Sequence, residues 1–450
     1  MVVKHFKAFL AFLFFFIYLN DAAAIVAEEF VLPNGMKVIV QPDRRAPVVV
    51  SQIWYRVGSA YEQDGITGIS HALEHMMFKA TKTTESGQFS RLVSKRGGRE
   101  NAFTSTDFTA YYQQWAPENL DLSFRMEADR MRNLVIDSSE FSQERAVVLE
   151  ERSLRVDDKP IAMAYEILKA NAFLTSPYRH PIIGWRSDIE DLTVSDLKVW
   201  YDRYYHPNNA TLIVVGDIDA ADVFDLAEKY FGSIPKGPEI ISKTRPEIEQ
   251  KGGKRIEISS SKSNVQHIVL GYKVPSFKQA LADRDIEEWE PLALEVLATV
   301  LDGFEGARLE TSVVRKSKLA TSTSVSYSWA TLLPDLFTVS AIPRAGVSVL
   351  TLEKALRSEI AGLVKNPPAE RELKKVIAQT VAESVFQMDS VAYQGILMGT
   401  LDSVGLDWRL KDKYVELVKN ITSDQVSYVA EKYLSPESET VVHLIPGSSQ

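Results

Sequence analysis

The 450-residue chain contains no cysteine. This excludes a disulfide framework, a thiol nucleophile, a thiolate metal site, an iron–sulfur cluster and a lipid anchor on an N-terminal Cys. Any bound metal must be held by His, Asp or Glu. Positive charge is also scarce: 51 Lys and Arg stand against 60 Asp and Glu, for a net charge of −9. A general nucleic-acid binder carries the opposite excess. There is no G-x-S-x-G nucleophile motif, no G-x-G-x-x-G and no phosphate-binding Gly loop, which argues against that type of serine hydrolase and against nucleotide binding. The unbroken apolar run Ala8–Leu19 has 12 residues, whereas a bilayer-spanning helix needs about 20. With 45% apolar and 25% charged residues, the composition is that of a soluble globular protein and not of a disordered, collagen-like or multi-span membrane chain.

That apolar run has the layout of an export leader. Lys4, His5 and Lys7 precede it, and Asn20-Asp21-Ala22-Ala23-Ala24 follows with small residues of the A-x-A type. Residues 1–24 are therefore expected to be a signal peptide cleaved after Ala24, with Ala27 as the alternative. An uncleaved anchor helix is the competing reading, and the shortness of the run weighs against it. Export without a lipid anchor points to the periplasm.

Beyond the leader, Asn34-Gly35 lies between Phe30–Leu32 and Met36–Val40, a hairpin signal. Pro47–Val57 reads as a strand. Helical periodicity covers Thr67–Lys79 and Glu85–Lys95, the latter stopped by Gly97-Gly98. Asn101–Trp115 returns to strand character, and helices dominate Pro117–Lys169. The informative pattern is an internal echo. At an offset of 229, Thr193 meets Thr422, Tyr204 meets Tyr433, Pro207 meets Pro436 and Thr211 meets Thr440. Each copy reads as a helix, a Pro-marked turn and a buried strand, and a shared offset over this length points to duplication. The stretch 236–255, rich in Pro, Gly and charge, has little periodicity and reads as a linker. The expected architecture is α+β, with two homologous domains of mixed or antiparallel sheet packed with helices, at 25–235 and 256–450. The absence of strict βαβ alternation argues against a doubly wound parallel sheet.

The chemistry centres on His71-Ala72-Leu73-Glu74-His75. At about 100° per residue, His71, Glu74 and His75 share one face of a helix, while Ile69, Leu73, Met76 and Met77 make the opposite, core-facing side. Imidazoles at i and i+4 can hold one Zn²⁺, and the intervening carboxylate can take a proton from a water that the metal acidifies. The order His-x-x-Glu-His inverts the commoner zinc motif. A catalytic zinc also wants a third protein ligand. Ser142–Arg155 reads as a helix, and Glu144 and Glu151, seven residues apart, share a face with Glu140 nearby. Such a stripe is ordinarily just solvated surface, but here the His pair needs a partner.

Three segments together, His71–Lys79, Asn101–Ser105 and Glu144–Glu151, resemble the pitrilysin/insulinase family of zinc metallopeptidases, and the resemblance spans essentially the whole mature chain. It implies a zinc endopeptidase acting on peptides or unfolded segments, with one Zn²⁺ per chain. It assigns His71, His75 and Glu151 as ligands, Glu74 as general base and Glu144 as a supporting carboxylate. Glu151 follows His75 at the family's spacing, and Glu150 points about 100° away. Asn101, Ala102 and Phe103 resemble the edge strand that takes substrate by β-addition. In the second half, Gly303–Leu309 resembles a Gly-rich loop followed by a substrate-contacting Arg, here Arg308. The Tyr expected further on is replaced by Thr321, and Tyr327 comes six residues late.

That departure, and a length half that of four-domain relatives, implies a partner. A heterodimer with a homologous subunit supplying the missing contacts is the first expectation and a homodimer the second. The competing function is a non-catalytic, chaperone-like subunit of the same fold, which would be expected to have lost part of the His71, Glu74, His75 and Glu151 set. The remaining histidines, among them His180, His206, His267 and His443, lack ligand-spaced partners and read as loop or packed residues.

Overall fold

The computed structural model describes residues 27–240 and 247–447. The expected leader and the middle of the expected linker, 241–246, lie outside the described residues.

Asn34-Gly35 turns the chain as its sequence requires: Gly35 has φ +89°, and Leu32 N donates to Met36 O at 2.9 Å. The turn joins β1 (Glu28–Val31) to β2 (Lys37–Pro42). With β3 (Val49–Tyr55), β4 (Arg99–Thr104), β5 (Thr109–Trp115) and β6 (Ala210–Gly216) they form a sheet of order β1-β2-β6-β3-β5-β4. The stretch Asn101–Trp115, which reads as continuous strand, is a hairpin. Ser105 N bonds to Phe108 O at 2.8 Å across a Ser-Thr-Asp turn, and the Asp107 carboxylate there accepts from Tyr178 Oη and Leu332 N.

A second sheet follows, built from β7 (Lys254–Ser260), β8 (His267–Val274), β9 (Ala320–Ser326), β10 (Asp335–Pro343) and β11 (Glu439–Pro446), in the order β7-β11-β8-β10-β9. Apart from the extra edge strand β1, the two orders correspond strand for strand. Each sheet has one parallel pair, β2/β6 and β7/β11, and is otherwise antiparallel. The fold is thus α+β with two homologous halves. The echo at offset 229 falls on helices Val194–Tyr204 and Ser423–Tyr433, each opened by a capping box on Thr193 or Thr422 and each leading into a central strand.

The halves interlock by exchanging helices. One face of the first sheet packs on its own helices through Val38, Val40, Val49, Ile53, Tyr111 and Val214. The other face (Ile39, Trp54, Ala110, Ile213) joins the core of the second half, under helix Val391–Ser403, which lies on β3 and β6. Reciprocally, helix Pro160–Ala172 of the first half covers β8 and β11, burying Ala164 and Leu168 against Val269 and Val442. These helices occupy equivalent places in the two halves. The approach is tightest at Gly399, where even a methyl group would meet the Trp54 ring. Polar contacts fasten the same face: Asp402 accepts from Lys37 Nζ at 2.5 Å, Thr211 Oγ1 at 2.6 Å and Arg56 at 2.9 Å.

Candidate metal centre and peptide cleft

The His-bearing helix spans Ile69–Met76, shorter at both ends than its periodicity suggests. Gly68 precedes it in the left-handed region at φ +83°, and a Cβ there would sit 2.4 Å from Ile183 O, so only glycine fits. The exposed backbone donors are taken by Glu62, which is buried and accepts from Gly68 N at 2.7 Å and Ser70 N at 2.9 Å. The carboxylate faces the positive end of the helix. Ile69, Leu73 and Met76 anchor the opposite side in the core.

The second element is helix Ser138–Arg152, capped by Asp137 and continued by a wider π turn, Ser153–Asp157. It brings Glu151 to the histidines: Glu151 Oε1 lies 3.6 Å from His71 Nε2, and Oε2 lies 3.4 Å from His75 Nε2. One ligand atom from each of the three falls within 4.8 Å of the others. Donors on a tetrahedral zinc, each about 2.0–2.2 Å from the ion, stand about 3.3–3.6 Å apart. The set therefore fits a small divalent cation. Protonation agrees with this: burial, with His75 and Arg155 nearby, pushes the His71 imidazole down to about 3, which leaves it a neutral lone-pair donor.

Glu144 lies one step out. His75 Nδ1 is 3.2 Å from Glu144 Oε2, whose other oxygen accepts from Lys79 at 2.5 Å. A carboxylate receiving Nδ1–H sets the tautomer that turns the Nε2 lone pair toward Glu151. Arg155 lies 2.8 Å from Glu151 Oε1. Glu74 stands in the same cleft and accepts from Thr104 Oγ1 at 2.5 Å through Oε2. Burial raises its carboxyl, and the Thr104 bond opposes that. A base held above the ordinary carboxylate range is better matched to moving protons near neutrality.

The cleft measures about 750 Å³. Asn101, Ala102, Phe103 and Thr104 of β4 form one wall. β4 ends its sheet, so its outer edge has no strand partner among the described residues. A row of unpaired backbone groups beside a metal site is a template for an extended peptide.

The comparisons with known proteins agree with this geometry. The chain is 31% identical over 423 residues to the zinc protease PqqE of Helicobacter pylori, covering 93% of each. Residues 37–185 match the model of "Insulinase (Peptidase family M16)", and residues 191–380 that of the "Peptidase M16 inactive domain". The chain belongs to the M16 peptidase family. The crystal structure of a protease from Helicobacter pylori superposes on this M16 chain with a TM-score of 0.88 at 29% identity, over 94% of this chain and all of that one. The periplasmic protease PqqL of Escherichia coli shares the fold at 18% identity and a TM-score of 0.76, and this chain spans 47% of it. A Bacillus subtilis relative, 25% identical over 81% of this chain and 85% of its own, is also named a zinc protease.

Not every expected site residue gathers at the cleft of this M16 chain. Arg308 is engaged elsewhere, donating to Glu372 at 2.8 and 2.9 Å and to Asn366 O at 3.0 Å. Thr321 is exposed on β9 and bonds Ile342 O at 3.2 Å. Tyr327 turns inward, its hydroxyl 2.6 Å from Pro275 O. Conversely, His180 lines the cleft and pairs with Asp64 at 3.0 Å, beside Lys169 and Arg179. The Ser-Pro-Tyr-Arg-His-Pro loop that carries His180 has no ligand spacing to mark it. Glu62 likewise has no signal in the sequence.

Proposed function

We propose that the chain is a zinc-dependent endopeptidase that cuts peptides or unfolded segments. The observation that carries this is the meeting of His71, His75 and Glu151 in one cleft with Glu74 and the free edge of β4. His71, His75 and Glu151 would hold one Zn²⁺, and Glu144 would orient His75. When bound, zinc supplies a Lewis acid that polarises the scissile carbonyl and lowers the pKa of the attacking water.

The remaining work falls to the protein's own side chains and backbone. Asn101, Ala102 and Phe103 pair with an extended substrate as an added strand, which selects unfolded segments because a folded protein offers no free strand. Glu74 takes the water's proton at Oε1, since Thr104 occupies Oε2, and delivers it to the leaving amine. Arg308 would reach a peptide only after releasing Glu372. A dimer, hetero- with a homologous subunit or homo-, and export to the periplasm belong to the same proposal. The periplasmic PqqL neighbour and the leader-like N-terminus support the location.

The test is zinc content and cleavage of a quenched peptide mixture by the purified chain, with Glu74→Gln as control. Stoichiometric zinc and cleavage that Glu74→Gln lowers by about 10²–10⁴-fold are expected. Zinc without cleavage would send the search to a homologous partner. No zinc at neutral pH without chelator would overturn the enzyme reading in favour of a non-catalytic subunit.

A further inference from the structure

The second half holds a cavity of about 290 Å³, separate from the metal cleft and lined from four helices and the loop after β9. Two carboxylates face it. Glu295, on helix Glu290–Asp302, has an oxygen fully shielded from solvent, while Glu383, on helix Glu370–Gln387, is exposed. Neither has a Lys, Arg or His within ion-pair distance among the described residues. The walls are aromatic. Trp329 and Tyr414 stack with centroids 5.7 Å apart and planes 13° apart, and Tyr393 adds a third ring. Among the described residues the lining holds one cation, Lys411, which is already answered by Asp412 at 2.6 Å.

We infer that this cavity binds an organic cation, an alkylammonium or guanidinium group, between Glu295 and Glu383 and against the Trp329, Tyr393 and Tyr414 rings. Aromatic faces attract such cations, and most strongly where water is excluded. The shielded Glu295 carboxylate without a counter-charge is the costly half of an ion pair whose other half comes with the ligand, and the exposed Glu383 adds negative charge at the rim. A hard metal ion fits less well. It wants six or more oxygens, and among the described residues only His71, His75 and Glu151 cluster at metal-ligand spacing. Burial holds the Glu295 carboxyl up at about 7, with Tyr414 lowering it and Glu383 adding to the rise. An arriving ammonium would reverse this. The cation can come from a free amine or from the Lys or Arg side chain of a peptide; the site chemistry is the same.

The test is calorimetric binding to the purified chain of cadaverine, of N-acetyl-lysine amide and, as a neutral isostere, of N-acetyl-norleucine amide. Both cations, or either, should bind saturably and the isostere should not. Preference for the lysine amide assigns the site to peptide side chains, and preference for cadaverine to free amines. Glu295→Gln should weaken binding by about ten- to a hundredfold, the loss of a shielded charge-assisted partner, and Glu383→Gln by about two- to fivefold, as befits an exposed one. Glu383 is exposed, so its variant should fold even if the Glu295 variant does not. Three results would overturn the inference: equal binding of the isostere, binding indifferent to both substitutions, or no binding of either cation at millimolar concentration.

Discussion

Gly399→Ala sets two physical effects against each other at the seam between the halves. In an unhindered helix the change is favourable by about 1 kcal/mol, because alanine restricts the unfolded chain and propagates helix better than glycine. At this position, however, the new Cβ would lie 2.0, 2.4 and 2.5 Å from three atoms of the Trp54 ring. Ordinary carbon contacts are about 3.5–4.0 Å, so ring or helix must retreat by about 1.5 Å. The ring is fully buried, tied by Nε1 to Gln52 Oε1 at 2.9 Å and packed edge-on against Phe103. The helix is held at its two ends by Gln52 to Ala392 O at 3.1 Å and by the Asp402 contacts. Overpacking of this kind costs about 1–3 kcal/mol and exceeds the propensity gain. Gly362→Ala is the internal control: it lies in helix Val349–Lys365, where a Cβ meets nothing within 4 Å, so stabilisation by about 0.5–1 kcal/mol is expected. Urea unfolding followed by circular dichroism should move the two midpoints in opposite directions. A Gly399→Ala midpoint at or above that of the parent would refute the packing argument. Because Phe103 lines the cleft, the same variant should also raise KM for peptides.

Other perturbations reach the site directly. Glu144→Gln should weaken zinc affinity by about ten- to a hundredfold, read by competition with a chelator, since it loosens His75 without removing a ligand; unchanged affinity would remove Glu144 from any orienting role. Gly68→Ala forces a left-handed residue against Ile183 O and should lower the melting temperature and the zinc content together, by strain of about 1–3 kcal/mol. Burial holds Glu62 and Glu295 at about 7 against an ordinary 4.5. Each binds a proton more tightly folded than unfolded, so its contribution is full below about 4.5 and is lost as pH rises through about 7. Glu295→Gln should therefore gain thermal stability on the parent between about pH 5 and pH 8, and a constant difference would contradict that sign.

Local physics made much of this molecule readable in its sequence. The Thr-started helix, Pro turn and apolar strand recur because capping, φ restriction and β-branching act over a few residues. The facing of His71, Glu74 and His75 follows from helix pitch alone. The sequence resisted where partners are distant. Arg308 carries the right chemistry but lies within reach of Glu372, 64 residues on. His180 and Glu62 acquire their places from loops whose course is set by packing. Thr104, read only as part of a strand, meets Glu74 because β4 passes the His-bearing helix. No periodicity announces that helices Pro160–Ala172 and Val391–Ser403 would be traded.

That trade governs how the chain can be made. A ribosome releases the first sheet long before the helix that closes its second face: Gln52 waits for Ala392, 340 residues later. Through most of synthesis the surface around Trp54, Ala110 and Ile213 has no cover, and the nascent chain must be kept from meeting its neighbours there. The second sheet has no such wait, since helix Pro160–Ala172 precedes every one of its strands. Cutting the gene between the repeats would yield two fragments with the same defect. Each would be left with a bare sheet face and a helix that has nothing to cover, and each would find its complement only in the other.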